Sequence, residues 1–481
     1  MRPLFITEPK LDFGTGQHVD IRFGLMNFNP LDITSPIAPK KIKLGIVGNT
    51  KTIEGVITWL GKCQQGIPAK ESTQPNLFPP FPGFGSDSCF GSEFIIEPNS
   101  QRSIPSRDID KITKAPTHKA MVEQAVNAFY MENEYLVQNQ SVDVIICALP
   151  LELLTAMEKQ RHSRLENNIE DDTDYEIDFH HLLKARAMRL RIPIQIVLPT
   201  TYDENVKVPR KIKKDSFRRV QDEATRAWNI HTALYYKARG VPWRVIRDSR
   251  DITSSFIGIS FYKTLDQKHI LTSVAQIFNE RGEGIIVRGG KVNLSKKDRQ
   301  IHLSHDDAFD LLDTTLQRYR DEHRTLPGRV VLHKSSSYND EELAGFRAAV
   351  DSNRISSVDL VNISEESGIR LFRYGNYPPL RGTFLSLSDK LHLLYTRGSV
   401  DFFSTYPGMY IPSPILMETA SVEQTPSFLA TEMLSLTKMN WNNTQFDGAL
   451  PITLRAAKQV SKILKYVGDN EAIEPRYSFY M

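Results

Sequence analysis

The chain has 481 residues, 40% hydrophobic and 24% charged, a balance that excludes a disordered protein and suffices for two or three domains with substantial cores. Sixty basic against 57 acidic residues leave a net charge of only +3, which excludes a histone-like coat but leaves room for local basic grooves. MRPLFITEPKLDFG lacks the apolar core of a secretory signal and no apolar run reaches membrane-spanning length, so a cytoplasmic protein without a membrane partner is expected.

Residues 1–40 hold short apolar stretches broken by Gly and Pro, which predicts an extended lead-in. IKLGIVG at 42–48 reads as a buried strand, followed by an amphipathic helix through Ile53, Ile57 and Leu60. Pro68 to Gly91, rich in Pro, Gly, Ser and Phe, reads as a loop. Val122, Ala125, Val126 and Phe129 recur at helical spacing, and VDVIICALP at 142–150 reads as a central strand. An acidic loop at 166–178 leads through a further helix to the strand IPIQIVLP at 192–199. This alternation predicts a small Rossmann-like α/β domain over 41–247 with a mainly parallel sheet. GIVGNT departs from GxGxxG, which weakens a dinucleotide reading. Cys63, Cys89 and Cys147 are odd in number and show no metal-ligand spacing, which fits a reducing compartment and no structural zinc.

From residue 248 the pattern changes. Segments 252–262, 268–278, 284–289, 328–334, 355–361, 370–374, 382–385 and 391–396 are short strand candidates, and 304–324 and 340–349 fit helices. LRAAKQVSKILKY at 454–466 closes the chain's second half as an amphipathic helix, with Leu454, Ala457, Val460, Ile463 and Leu464 on one face. A second α/β domain over 248–481, built on a mixed sheet, is the expectation.

Five segments carry a family resemblance: QDEATRAWNIHTALYYKARGVPWRV at 221–245, the strand FIGISFY, VAQIFNERGEGIIVRGG at 274–290, VVLHKSSSYNDEE at 330–342, and FLATEMLSLTKMNWNNTQFDGALPITLRAAK at 428–458. In this order they resemble the MID and PIWI domains of Argonautes. No N-terminal or PAZ domain fits in this length, so the chain is similar to the short prokaryotic Argonautes. The resemblance implies a Rossmann-like MID domain that holds the 5′ phosphate of a small guide, followed by an RNase H-like PIWI domain that holds guide and target. It also implies an inactive PIWI domain and an effector partner with an APAZ region: a SIR2 or TIR NADase, or a nuclease. The guide it favours is RNA and the target single-stranded DNA.

A terminal phosphate needs several donors converging on one point. The stretch from Lys207 to Arg219 supplies Lys207, Arg210, Lys211, Lys213, Lys214, Arg218 and Arg219, with Lys237 further on. The resemblance singles out Lys237, then Lys207, Lys211 and Lys214; the plainer reading of KIKKDSFRR is a solvated helix face. Tyr202, Tyr235 and Tyr236 are candidates for stacking on the first base. The family comparison brings the terminal carboxylate of Met481 to this pocket, with Mg²⁺ as the compensating cation.

A nuclease of the RNase H type needs clustered carboxylates to hold Mg²⁺. At the first two positions of that site the resemblance aligns Ser260 and Ser335, which cannot supply the charge. Glu280 and Glu283 lead toward the family's glutamate loop, and Asn440, Asn442 and Asn443 fall in the final motif. Asp266 or Asp340 would have to migrate to rebuild the site. No catalytic cofactor is therefore expected. Arg288, Lys291, Lys296, Lys297, Arg373, Arg381 and Arg397 are candidates for a duplex backbone. Phe402, Phe403, Tyr406 and Tyr410 suit core packing better than base stacking. Residues 1–40 and the Phe78 to Phe90 loop are candidate effector contacts. The leading expectation is a guide-binding sensor without hydrolytic activity; a nuclease with displaced acids and a module that binds no guide are the alternatives.

Overall fold

The structure, a computed structural model, describes residues 2–166, 177–210, 220–246, 252–278, 284–295, 297–408, 410–445, 448–468 and 471–481, with side chains at 162–166, 275–278 and 293 set aside. It divides into two units. One comprises Asp32–Gly240, Tyr466–Glu474 and Ser478–Met481; the other comprises Met1–Leu31, Val241–Lys465 and Pro475–Tyr477.

The N-terminal segment, expected to be an extended lead-in, is folded. It forms β1 (Leu4–Phe5), β2 (Leu11–Asp12), β3 (Gln17–His18) and the helix α1 (Ile21–Phe28). Asp20 caps α1 by accepting from the Arg22 and Phe23 amides at 2.8 and 3.0 Å.

The unit that begins at Asp32 is built on β4 (Lys41–Gly48), α2 (Thr50–Gln64), β5 (Glu93–Ile95), β6 (Gln101–Ser103), α3 (Ser106–Thr113), α4 (His118–Asn139), β7 (Val144–Ala148), α5 (Leu151–Glu166), α6 (Phe179–Ala187), β8 (Ile194–Val197), α7 (Pro199–Tyr202) and α8 (Glu223–Lys237). Its sheet runs β5-β4-β7-β8, with β6 beside the far end of β4, and every pairing is parallel. β7 is buried along its whole length, because helices cover both faces of a parallel sheet; that is why VIICA reads as an unbroken apolar run. The chain leaves β4 toward β5 and β6 and returns to β7 on the other flank. The crevice between the helices that follow β4 and β7 is therefore the switch point of the sheet.

The other unit continues through β9 (Arg244–Val245), β10 (Ser254–Lys263), β11 (Ile270–Phe278), β12 (Gly284–Leu294), β13 (Ile301–His302), α9 (His305–His323), β14 (Arg329–Lys334), α10 (Asp340–Ser352), β15 (Ser357–Ser364), β16 (Thr383–Ser386), β17 (Leu391–Leu394), β18 (Ile415–Ser421), α11 (Pro426–Leu436) and α12 (Ile452–Leu464). Its sheet has the order β1-β16-β17-β18-β15-β14-β10-β11-β12-β13. β10, β14 and β15 are parallel neighbours flanked by antiparallel strands, so the sheet is mixed as expected. α12 lies directly on β10, where a Cβ at Gly258 would stand 2.2 Å from the Thr453 carbonyl oxygen. Residues 370–374, expected to be a strand, form none: the segment lies between the positive-φ glycines Gly368 and Gly375 and leaves Phe372 80% exposed. The N-terminal segment belongs here too, with β1 antiparallel to β16 and Glu8 held by Arg381 at 2.7 Å and Lys438 at 3.1 Å.

Candidate functional site

In the five-stranded unit the chemistry converges on two lysines. α8 starts at Asp222, whose side chain accepts from the Thr225 amide at 3.0 Å, and it is buried along most of its length. Phe81 and Phe90 of the preceding loop pack on it, at 5.1 Å from Trp228 and 5.5 Å from Tyr235. Lys237 ends the helix only 3% exposed, and its Nζ donates to the main-chain oxygens of Ser478 at 3.3 Å and Met481 at 3.1 Å.

The second lysine, Lys184, was not among the sequence candidates. It sits in α6, capped by Asp178 on the His181 amide at 3.1 Å, and is 2% exposed. The signal was present: in FHHLLKARA this lysine adjoins the buried Leu182, Leu183 and Ala187, and a cation on an apolar helix stripe is costly unless it has a task. Burial brings the Lys184 ammonium down to about 7, partly opposed by Cys147. Burial and then the charge of Lys184 hold Lys237 well below the ordinary lysine range. Among the described residues neither lysine has an Asp or Glu side chain at ion-pairing distance. Two buried lysines that act on one another without such a counter-ion are costly to charge, and a bound anion would offset that cost.

Lys207 is exposed, while Lys211 and Lys214, with Lys213, Arg218 and Arg219, lie outside the described residues. Tyr235 and Tyr236 are corrected as stacking platforms. Both are buried, and the Tyr235 hydroxyl donates to Asp32 at 2.6 Å, because the aromatic loop covers α8. The same packing buries Phe81, Phe84 and Phe90, while Pro80, Pro82, Ser86 and Asp87 of the Phe78 to Phe90 loop are exposed. Tyr202 is half-buried and lines a cavity beside α2. At Met481 the main-chain oxygen accepts from Lys237 Nζ at 3.1 Å. Among the described residues the one trio of metal-capable side chains is Asp178, His180 and His181, on the first turn of α6.

In the ten-stranded unit, Ser260 lies near the end of β10, 4% exposed and opposite Ser273 of β11. The parallel register runs as far as Ile259 with Lys334, and Ser260 and Ser335 are the next residues of the two strands' chains. Adjacent Lys334 is buried and charge-balanced: its Nζ donates to Glu342 Oε1 and, at 2.9 Å, to the Ser337 carbonyl. Glu342 is also engaged by the Leu303 and Asn339 amides at 2.9 and 3.1 Å, so it serves the fold. Asp266 sits in an exposed hairpin turn bonded to Thr264, and Asp340 opens α10. Asn440 Oδ1 accepts from the Asn442 amide at 3.3 Å in the turn after α11. Glu280 and Glu283 lie outside the described residues.

Of the candidate groove residues, Arg381 is corrected. It is 3% exposed and donates to Glu8, Thr437 and the Leu434 carbonyl, so it serves packing. Lys291, Lys297, Arg373 and Arg397 are exposed, Arg288 is half-buried and Lys296 lies outside the described residues. Phe402 packs at 5.2 Å from His18 and 5.4 Å from Phe23, and Phe403 is buried, in line with a core role, whereas Tyr410 is 79% exposed and is no core residue.

Neither a protein-family profile nor a curated protein sequence matches the chain. Solved structures do, and they define its class: an α/β fold of the Argonaute and Piwi type. Clostridium butyricum Argonaute, solved with a guide DNA and a 19-mer target DNA, is similar over 99% of this chain and 54% of its own, with a TM-score of 0.64 at 15% identity. Aa-Ago, solved with externally bound siRNA, is similar over 100% and 56%, with a TM-score of 0.60 at 14% identity. Drosophila Piwi is similar over 99% and 56%, with a TM-score of 0.58 at 11% identity. The chain thus spans a little over half the length of these proteins. No helix among the described residues is long and apolar enough to cross a membrane.

Proposed function

We propose that the chain is a guide-binding, target-sensing subunit of the short prokaryotic Argonaute kind, which holds the 5′ phosphate of a small guide and does not cut. The observation that carries this reading is the burial of Lys184 and Lys237 together, without an acidic side chain among the described residues to neutralise them. A terminal phosphate supplies the missing charge, and a 5′-hydroxyl end does not. The fold likeness to an Argonaute solved with guide and target DNA supports a nucleic-acid ligand. The serines at 260 and 335 support the absence of cleavage, since paired hydroxyls cannot hold two divalent cations.

In this reading the guide is RNA and the target single-stranded DNA from an invader. Target pairing activates an associated APAZ-containing effector, with an NADase favoured over a nuclease. These finer assignments rest on the sequence resemblance alone. The displaced-acid nuclease is the alternative; Asp266, in a hairpin turn, and Asp340, at the start of α10, are the acids it would have to recruit.

The test is purification of the chain with its partner, followed by binding of 5′-phosphorylated and 5′-hydroxyl RNA guides. The phosphorylated guide should bind at least about tenfold more tightly, and Lys184→Ala with Lys237→Ala should erase the difference. With an NADase partner, NAD⁺ loss should require both proteins, a guide and its matching single-stranded DNA. Equal binding of both guide forms, or NAD⁺ loss without this chain, overturns the proposal.

A further inference from the structure

A second cluster of side chains in the five-stranded unit carries chemistry that the lysine pair does not use. It stands at the start of α6, where Asp178 is the N-cap and His180 and His181 are the second and third helical residues. The cap dictates the convergence, because a capping side chain folds back over the first turn. The Asp178 carboxylate accepts from the His181 amide at 3.1 Å, and His181 Nδ1 stands 3.2 Å from the same oxygen. The His180 and His181 rings meet edge to face, with centroids 5.4 Å apart and planes at 90°. One carboxylate oxygen and one nitrogen from each ring thus lie within 4.8 Å of one another.

Capping accounts for only part of this arrangement. An N-cap aspartate paired with the third helical residue closes the helix end by itself and needs no second imidazole. The three donors are also held from outside the helix. The Asp178 amide donates to the Tyr466 hydroxyl at 2.9 Å, and the carbonyl of the preceding Ile177 lies 3.1 Å from His118 Nε2 of α4. Such outer contacts are what orient a ligand set. All three side chains are half-buried, with Asp178 and His181 each 19% exposed, so they are packed against the unit yet open to an ion from solvent.

The donor types select the ion. Two imidazoles and one carboxylate suit Zn²⁺, Co²⁺ and Ni²⁺, whereas Mg²⁺ and Ca²⁺ take oxygen ligands. The helix end strengthens this choice: its partial positive charge disfavours a cation held by charge alone, so the ion must bond imidazole nitrogen well. Mn²⁺ is the weakest of the first-row series on such donors.

We propose that Asp178, His180 and His181 bind one divalent transition-metal ion of the Zn²⁺ class, with water completing its coordination. Bonds of about 2.0–2.2 Å require the three donors to close around the ion through side-chain rotation. The site uses neither Lys184 nor Lys237 and does not depend on the guide-binding reading.

Calorimetric titration of the chelator-treated full chain with Zn²⁺ tests it. One equivalent should bind with a Kd below about 10 μM, and about 1 mM Mg²⁺ or Mn²⁺ should leave that titration unchanged. The Co²⁺ complex should show visible ligand-field bands without a thiolate charge-transfer band, which separates this site from the cysteines. His180→Gln and His181→Gln should each weaken Zn²⁺ binding at least about tenfold. Asp178→Asn should do the same, and because asparagine caps a helix as well as aspartate, the loss reports a ligand rather than a damaged helix. A Kd above about 10 μM overturns the proposal, as does a thiolate band or a change of less than about tenfold in any of the three variants.

Discussion

Lys184 shows how one side chain links burial to ligand chemistry. In the unfolded chain its ammonium keeps its proton to about pH 10.4, whereas in the fold burial releases it at about 7. Between these values the unfolded state binds more protons, so the stability of the ligand-free protein should rise with pH from about 7 toward about 10. A bound phosphate reverses the preference by holding the proton on, so affinity for a 5′-phosphorylated guide should fall as pH climbs above about 7. Denaturant titrations and guide affinities across this window check both slopes; parallel slopes would contradict the assignment. Lys184→Met should stabilise the ligand-free protein by roughly 2–4 kcal/mol at pH 6, where the penalty of the charge is present in full. The same change should weaken phosphate-dependent binding, which separates a binding role from a structural one.

At the level of elements, the contact between α12 and β10 and the anchoring of the N-terminal segment set the architecture around Ser260. Gly258→Ala pushes a methyl group into the Thr453 carbonyl, and should cost about 3 kcal/mol in denaturant unfolding. Glu8→Gln leaves Arg381 and Lys438 buried with one formal charge fewer between them, and should cost about 3 kcal/mol. Burial opposes the Glu8 charge, but Arg381 and Lys438 outweigh it and lower its pKa. That contribution should therefore hold above about pH 4.3 and fade as pH drops through the lower folded value. The sequence revealed elements whose apolar period is long enough to read: β7, β10, β14, α9 and α12 were all visible in it. β1, β2 and β3 were not, because two-residue strands have no period, and their pairing is decided by distant partners such as β16. RLFRY at 370–374 misled for the opposite reason: it reads as a short strand, but the flanking glycines Gly368 and Gly375 at positive φ turn it out to solvent. At the site, Lys237 was legible through its motif, and Lys184 needed the observation that its helix stripe is buried. Arg381 read as a surface charge because nothing local reveals a partner 373 residues away.

For the molecule as a whole, the question is whether the ten-stranded sheet retains any capacity for metal chemistry. Ser260 and Ser335 follow the last registered pair of β10 and β14, Ile259 and Lys334, and the sequence resemblance aligns them with the first two carboxylate positions of a nuclease. With hydroxyls there, Mg²⁺ or Mn²⁺ should leave the unfolding midpoint of the chain unchanged, and incubation with guide and target should give no cleavage product. Ser260→Asp combined with Ser335→Asp would set carboxylates at both positions, where like charges repel. That variant should unfold at a lower temperature without metal and regain stability when Mn²⁺ is added, because a ligand that binds the native state raises its stability in proportion to log concentration. With the guide phosphate at the lysine pair, as proposed, a phosphorylated guide should stabilise the native chain and the double aspartate variant alike, by about 2.7 kcal/mol at a hundredfold excess over Kd. Scanning calorimetry with each ligand alone and both together separates the two effects. Cleavage by the native chain, or a metal-dependent midpoint in it, would show that the sheet holds a cation site the serines do not account for.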